Sequence, residues 1–220
     1  MDVELRVVDD PAGEVAGLLA GAARAGDSIV LTGGSTPRRA YELAAELEPD
    51  WSGATVWWGD ERAVPPDDAR SNYAMAKEAL LDRLDRPPRE VHRILGVDPT
   101  ESARLYENEL RGVSLDLLLL GIGPDGHTAS LFPNAPTLDE RERLVVAAEA
   151  GLEPFVPRVT LTLPAIASAR DVVFLVTGKD KADAVARAFA HDPSPATPSS
   201  LARGRRTTAI LDEAAAALLR

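Results

Sequence analysis

Short apolar segments alternate with helical patterns along most of this chain, and this alternation constrains the fold more than any other feature. Most of the segments are continuous rather than polar at every second residue, which is typical of strands covered on both faces. We expect a first strand within the opening residues. The further predicted strands span residues 28–32, 55–58, 91–95, 115–121, 143–148, 171–177 and 207–211.

The helical patterns between these strands predict an α/β protein with a doubly wound, mostly parallel, Rossmann-like sheet. We expect residues 1–220 to form one domain, with the Pro-, Ser- and Thr-rich segment 192–206 as a loop or short helix. Right-handed crossovers gather the loops that follow the strands at one edge of the sheet, where ligands bind in such folds. The predicted helices span residues 37–48, 71–84, 100–111, 179–190 and 212–219.

The charge and composition exclude several classes of protein. A formal net charge of −11 argues against nucleic acid as a partner. The absence of cysteine excludes a disulfide framework and a Cys-ligated zinc site. The N-terminus lacks the features of a signal peptide, and no segment is long and apolar enough to span a bilayer. We expect a soluble, cytoplasmic protein with no membrane partner, either a monomer or a weak homo-oligomer.

The first loop with functional potential is LTGGSTP, which follows a predicted strand and opens a helix. The glycines Gly33 and Gly34 allow a tight turn, so that backbone amides can point at one anion. The hydroxyls of Ser35 and Thr36 and the positive end of the helix dipole add to this site. The pattern predicts a cradle for one phosphate. A glycine turn with a Ser/Thr cap gives the same sequence.

The second loop is WGDER, directly after another predicted strand. Here Asp60 could position a substrate hydroxyl or act as a base, and Arg62 could neutralise developing charge or bind phosphate. A local ion-pair cluster is the alternative interpretation.

The third loop, GIGPDGHTASLFP, follows the most apolar strand and carries His127 at the rim of the sheet. Histidine is the side chain best suited to proton transfer near neutral pH. Asp125 could hold its tautomer. The sequence therefore predicts His127 as a general base. A structural or exposed histidine is the alternative.

Two further positions are weaker candidates for anion binding. Arg158 begins a short apolar segment, and a surface arginine is the simpler interpretation from the residues alone. Lys181 lies in the first turn of a predicted helix, where a cation opposes the helix dipole unless an anion is bound. The sequence contains no convincing metal-binding motif, and Ser35 and Ser130 lack the Gly-x-Ser-x-Gly pattern of a hydrolase nucleophile.

The blocks LTGGSTP, WGDER, SNYAMAKEALL, GIGPDGHTASLFP, PRVTLTLPAI and FLVTGKDKADAV occur in the order seen in 6-phosphogluconolactonases. From about residue 29 to residue 189, the chain thus resembles the glucosamine-6-phosphate isomerase/6-phosphogluconolactonase family. The resemblance implies the fold shared with glucosamine-6-phosphate deaminases and ribose-5-phosphate isomerases. It also implies hydrolysis of 6-phospho-D-glucono-1,5-lactone to 6-phospho-D-gluconate in the oxidative pentose phosphate pathway, with a sugar phosphate as the small-molecule partner and no cofactor.

The resemblance also implies a role for each matching residue. It implies that His127 is the general base and that Asp60 and Arg62 form an acidic–basic pair at the substrate. The positions that it implies for phosphate contact are Gly34, Ser35, Thr36, Arg158 and Lys181.

Two other functions remain open at this point. The deaminase relatives carry a glutamate five residues after the histidine, and this chain has Phe132 there, which favours the lactonase pattern. A non-catalytic sugar-phosphate sensor would need a DNA-binding module, and we expect none, because no basic helix-turn-helix segment precedes the first predicted strand.

Overall fold

A computed structural model describes residues 3–95 and 98–219 of the chain. Within these residues, seven strands form one sheet in the order β1-β10-β9-β6-β2-β3-β5, and every neighbouring pair is parallel. Its strands are β1 (Glu4–Val7), β2 (Ser28–Leu31), β3 (Thr55–Trp58), β5 (Glu90–Val91), β6 (Leu117–Leu120), β9 (Asp171–Val176) and β10 (Arg206–Leu211).

Helices cover both faces of this sheet. The chain passes from β1 to β2 to β3 in one direction, and from β5 to β6 to β9 to β10 in the other. Right-handed crossovers therefore place α1 and α2, which pack on each other, opposite α4 and α6. The predicted doubly wound, mostly parallel α/β architecture is confirmed. The described helices are α1 (Pro11–Ala25), α2 (Ser35–Leu47), α3 (Asn72–Ala79), α4 (Pro99–Leu110), α5 (Leu163–Ser168) and α6 (Ala182–Phe189).

A second, antiparallel sheet of three strands lies beside the first. It has the order β4 (Asp60–Arg62), β8 (Arg158–Leu161) and β7 (Val145–Ala148). The prediction that segment 143–148 is a strand is confirmed for its last four residues. These residues pair antiparallel with β8 rather than joining the parallel sheet.

Helix α1 has no counterpart among the predicted helices, because its Ala- and Gly-rich sequence gives little amphipathic contrast. Local interactions nevertheless define its ends clearly. The carboxylate of Asp10 accepts a hydrogen bond from the amide of Gly13, Pro11 occupies the first turn, and Gly26 ends the helix at φ 75°. None of the described helices has the length and apolar character needed to cross a membrane.

The predicted C-terminal helix at 212–219 is wrong. Residues 213–218 form turns. The amide of Ala216 donates to the carbonyl of Asp212, as in an α-helix, but the amide of Leu219 donates to the carbonyl of Ala216, an i to i−3 bond. Asp212 accepts hydrogen bonds from the amides of Gly178 and Ala215, which ties the segment to the loop after β9.

The remaining differences concern the ends of elements. Helix α2 begins two residues before the predicted start, and the predicted strand 91–95 is reduced to Glu90–Val91. The predicted helix 71–84 is α3 followed by a 3-10 turn at Leu81–Arg83, and Ser71 caps it as expected by accepting from the amide of Ala74. A 3-10 turn, Lys179–Lys181, precedes α6. The predicted loop 192–206 is confirmed up to residue 205 and contains one described 3-10 turn, Pro198–Ser200, whereas Arg206 already belongs to β10.

Candidate active site

The strands β2 and β6 are parallel neighbours, but the chain builds the sheet outward from β2 in one direction and from β6 in the other. This change of winding direction opens a crevice at the carboxyl ends of the two strands. The loops after β2, β3, β6 and β9, four neighbouring strands, surround it. The crevice has a volume of about 300 Å³. All the predicted site residues except Asp125 line it: Gly33, Gly34, Ser35, Thr36, Asp60, Arg62, His127, Arg158 and Lys181.

The loop after β2 presents the N-terminus of α2 to the crevice. Gly34 precedes the helix with φ 117°, a conformation that favours glycine, and no described side chain caps the helix. The amides of Ser35 and Thr36 therefore remain available to an anion, at the positive end of the helix dipole. The Thr36 hydroxyl lies 2.9 Å from the hydroxyl of Thr177, which joins this loop to the end of β9.

His127 is oriented by the carboxylate of Asp125. Its ring Nδ1 lies 2.6 Å from Asp125 Oδ1, and the same oxygen accepts from the His127 amide at 3.1 Å. Burial opposes ionisation of Asp125, but the hydrogen bonds and charge of His127 outweigh it and lower the pKa of this carboxyl. An ionised Asp125 fixes the proton on Nδ1. It leaves Nε2, which has no partner among the described residues, as the basic nitrogen.

The glycine at position 123 makes room for this histidine. A Cβ there would lie 2.1 Å from both Nδ1 and Cε1 of His127, so only glycine permits the observed ring position. The ring of Phe132 lies 4.9 Å from the His127 ring, centroid to centroid. Phe132 is buried and supplies no acid or base next to the histidine.

Asp60 is buried at the floor of the crevice and bonded to neutral donors. Its Oδ2 accepts from the hydroxyl of Ser130 at 2.7 Å, and its Oδ1 accepts from Nδ2 of Asn72 at 3.1 Å. Sequence reasoning did not single out Asn72 or assign Ser130 a role at the site. Both lie within motifs quoted above, but their contacts with Asp60 depend on tertiary structure.

Glu61, the residue next to Asp60, has a structural role. Its carboxylate accepts from the amides of Asn72 and Tyr73 and from the hydroxyl of Ser71, and so caps the start of α3. Burial raises the pKa of Glu61, and these hydrogen bonds only partly offset the effect.

Two arginines face each other across the small sheet. Arg62 and Arg158 are cross-strand partners in β4 and β8, and neither forms an ion pair with a described carboxylate. Burial and the charge of Arg62 lower the pKa of Arg158, against the attraction of Asp60 and Glu61. Like charges directly opposite each other are unfavourable in a sheet. This cost would be relieved by an anion bound between the two guanidinium groups.

Arg158 also holds the wall of the crevice. Its Nε donates to the carbonyl of Val156, and its Nη2 donates to the carbonyls of Leu152 and Pro154. The guanidinium therefore organises the loop before β8 while still lining the crevice. The sequence alone favoured a surface arginine at this position, whereas Arg158 is buried.

The two lysines of the loop after β9 differ in position. Lys181 lines the crevice, and its Nζ lies 3.2 Å from Asp180 Oδ2. Lys179 is exposed and does not line the crevice. Across the described part of the chain, no group of three or more histidines and carboxylates is placed to hold a metal ion.

Known proteins resemble this chain in both sequence and structure. The 6-phosphogluconolactonase of Streptomyces coelicolor is 41% identical over an alignment that covers 90% of this chain and 84% of that protein. The structure of 6-phosphogluconolactonase from Trypanosoma cruzi superimposes with a TM-score of 0.84 at 31% identity, over 100% of this chain and 98% of that one. A monomeric glucosamine-6-phosphate deaminase has a TM-score of 0.87 at 20% identity, over 99% of this chain and 100% of that one. That similarity shows a shared fold.

The family model described as glucosamine-6-phosphate isomerases/6-phosphogluconolactonase matches residues 7–211. This match spans all ten strands except the first three residues of β1. The chain therefore belongs to the glucosamine-6-phosphate isomerase/6-phosphogluconolactonase family.

Proposed function

We propose that this protein hydrolyses 6-phospho-D-glucono-1,5-lactone to 6-phospho-D-gluconate, a step of the oxidative pentose phosphate pathway. One observation carries the proposal. His127, paired through Nδ1 with an ionised Asp125, lines a crevice that also contains Arg62, Arg158 and the open N-terminus of α2. The relatives named 6-phosphogluconolactonase support the same substrate.

The substrate phosphate binds at the cationic end of this crevice. The amides of the loop from Gly34 to Thr36, together with Arg158 and Lys181, hold its oxygens. Anchoring the phosphate fixes the lactone ring so that its carbonyl carbon, C1, lies near His127. Such positioning replaces an encounter in solution with a reaction between fixed groups.

His127 then acts first as a base and afterwards as an acid. Its neutral Nε2 takes a proton from a water molecule as the water oxygen bonds to C1. The resulting oxyanion is stabilised by backbone amides or by Arg62. When the bond between C1 and the ring oxygen breaks, the imidazolium returns its proton to that oxygen. The negative charge of Asp125 stabilises the imidazolium between the two proton transfers.

The nearest alternative within the family is deamination of glucosamine 6-phosphate. Phe132, which occupies the position where the deaminase relatives carry glutamate, favours water attack on a lactone over this alternative. The test is to assay both reactions on one preparation, with lactone hydrolysis measured above the uncatalysed rate in the same buffer. We expect lactone hydrolysis and no release of ammonia. Ammonia release without lactone hydrolysis would overturn the proposal.

The role of His127 is tested by substitution. The variant His127→Ala should lose about 10²–10⁴-fold in kcat, the range typical for loss of a general base. The matched control is His191→Ala, because His191 is exposed and does not line the crevice. Full turnover by His127→Ala would remove His127 from the mechanism.

A further inference from the structure

The carboxylate of Asp60 is held from two sides by neutral side chains. Asp60 is 5% exposed, and it forms no ion pair within the described residues. Ser130 donates to Oδ2 at 2.7 Å and Asn72 donates to Oδ1 at 3.1 Å. Because neither donor carries a charge, these bonds fix the orientation of the carboxylate without neutralising it.

Ser130 joins Asp60 to the loop that carries His127. Ser130 is 1% exposed, and its amide donates to the hydroxyl of Thr160 at 3.1 Å. Thr160 is the residue opposite Asp60 in the pairing of β4 with β8. The backbone and side chain of Ser130 are thus both bonded to the small sheet, and this fixes the spacing between Asp60 and the His127 loop.

Asn72 joins Asp60 to the loop after β2. Its Nδ2 also donates to the carbonyl oxygen of Asp60 at 2.9 Å. Its Oδ1 packs so closely on Gly33 that a Cβ at that glycine would lie 2.0 Å away. Asn72 therefore contacts both Asp60 and the loop that we assign to phosphate binding.

We propose that Ser130 and Asn72 are positioning residues that orient Asp60 to accept a hydrogen bond from a hydroxyl of the sugar; we call Ser130, Asp60 and Asn72 the Asp60 clamp. A carboxylate has about four lone-pair sites, and the two donors of the clamp occupy one on each oxygen. Because Asp60 lines the crevice, its remaining lone-pair sites are available to a hydroxyl of the substrate. This inference rests on the proposed function, because it assigns the hydroxyl-bearing part of the phosphorylated substrate to Asp60.

The clamp predicts different effects on two probes, 6-phosphogluconate and inorganic phosphate, with binding measured by calorimetry. In the variant Ser130→Ala, Asp60 is no longer held in position to accept the hydrogen bond from the sugar hydroxyl. The variant should therefore bind 6-phosphogluconate about 10- to 100-fold more weakly, the range expected for loss of a hydrogen bond to a charged group. Its affinity for inorganic phosphate should not change, because within the described residues Ser130 forms no hydrogen bond to the loop from Gly33 to Thr36. Asn72→Ala should weaken binding of both probes, since Asn72 contacts both Asp60 and Gly33.

The matched control for Ser130→Ala is Ser199→Ala. Ser199 is also fully buried, and its hydroxyl has no partner within the described residues, so the substitution removes the same atom outside the clamp. We expect Ser130→Ala to melt at a lower temperature than Ser199→Ala, because only the first substitution leaves a buried carboxylate oxygen without its donor. Only Ser130→Ala should lose affinity for 6-phosphogluconate and lose kcat/KM for the lactone.

Two results would overturn the clamp. One is wild-type affinity of Ser130→Ala for 6-phosphogluconate. The other is an equal loss of affinity for both probes in this variant, because that result indicates general damage to the crevice. A wild-type protein that binds 6-phosphogluconate but does not hydrolyse the lactone would instead overturn the proposed function. In that case, comparing the affinities of Ser130→Ala for 6-phosphogluconate and for inorganic phosphate would still test the Asp60 clamp.

Discussion

Replacing Gly123 with alanine should lower kcat about 100-fold while leaving the fold intact. The added Cβ would lie 2.1 Å from two atoms of the His127 ring and 2.8 Å from Asp125 Oδ1. Ordinary van der Waals contact begins at about 3.4 Å, so the ring must move by about 1.3 Å. A shift of this size away from Asp125 stretches the 2.6 Å bond from Nδ1 beyond hydrogen-bonding distance.

The expected loss of reaction rate can be estimated from this displacement of the His127 ring. Misplacing a reacting group by about 1 Å costs on the order of 10²-fold in rate, which corresponds to about 2.7 kcal/mol of activation free energy. The φ of Gly123 does not lie in the left-handed region, so alanine adds no backbone strain at this position. The ring can move into the open crevice, and we therefore expect a small change in melting temperature.

The assay is steady-state lactone hydrolysis by Gly123→Ala, with Gly17→Ala as the control. Gly17 lies on α1, and a Cβ there would meet no atom within 4 Å, so the same methyl group enters open space far from the crevice. We expect kcat to fall about 100-fold in the first variant and to be unchanged in the second. A kcat for Gly123→Ala within threefold of wild type would refute the argument that the ring position of His127 is needed for catalysis.

Two further predictions concern binding and stability. Lys181→Ala should mainly raise KM, because Lys181 lines the crevice, whereas Lys179→Ala should leave KM unchanged; equal KM values for both variants would exclude Lys181 from phosphate binding. Burial raises the pKa of Glu61 above the ordinary 4.5, so its contribution to stability is present at lower pH and is lost as the pH rises through the folded-state value. The free energy of unfolding of the wild type, relative to Glu61→Gln, should therefore fall as the pH rises above 4.5 in denaturant titrations. A difference that is constant or that rises with pH contradicts this reasoning.

The parallel sheet could be predicted because its central strands, such as β2, β3 and β6, are buried and almost continuously apolar. The segment 55–58, for example, matches β3 residue for residue. Helix α1 could not be predicted from its periodicity, because the glycines Gly13, Gly17 and Gly21 on its outer face are scarcely more polar than the alanines on its buried face. The C-terminal segment shows the opposite case: its alanines favour a helix, but the contacts of Asp212 hold it as turns.

The candidate site was predictable wherever a motif directly follows a strand of the parallel sheet. The positions of the loops containing Gly34, Asp60 and His127 follow from the order of strands and the handedness of their connections. The contacts of Ser130 and Asn72 with Asp60 join residues 70 and 12 positions apart, and no local pattern reports such contacts. The assignment of residues 1–220 to one domain, the cytoplasmic location and the oligomeric state stay predictions.

The pairing of β1 with β10 has a consequence for how the chain folds during synthesis. Within the described residues, β1 is an edge strand that pairs only with β10, so that Glu4 lies opposite Thr208. At about 5–20 residues per second, a ribosome needs about 10–40 s to add the intervening residues. Four strands that carry loops of the crevice leave the ribosome before β10: β2, β3, β6 and β9. Among the strands of this sheet, β1 is therefore made before the others but cannot pair until β10 has been made.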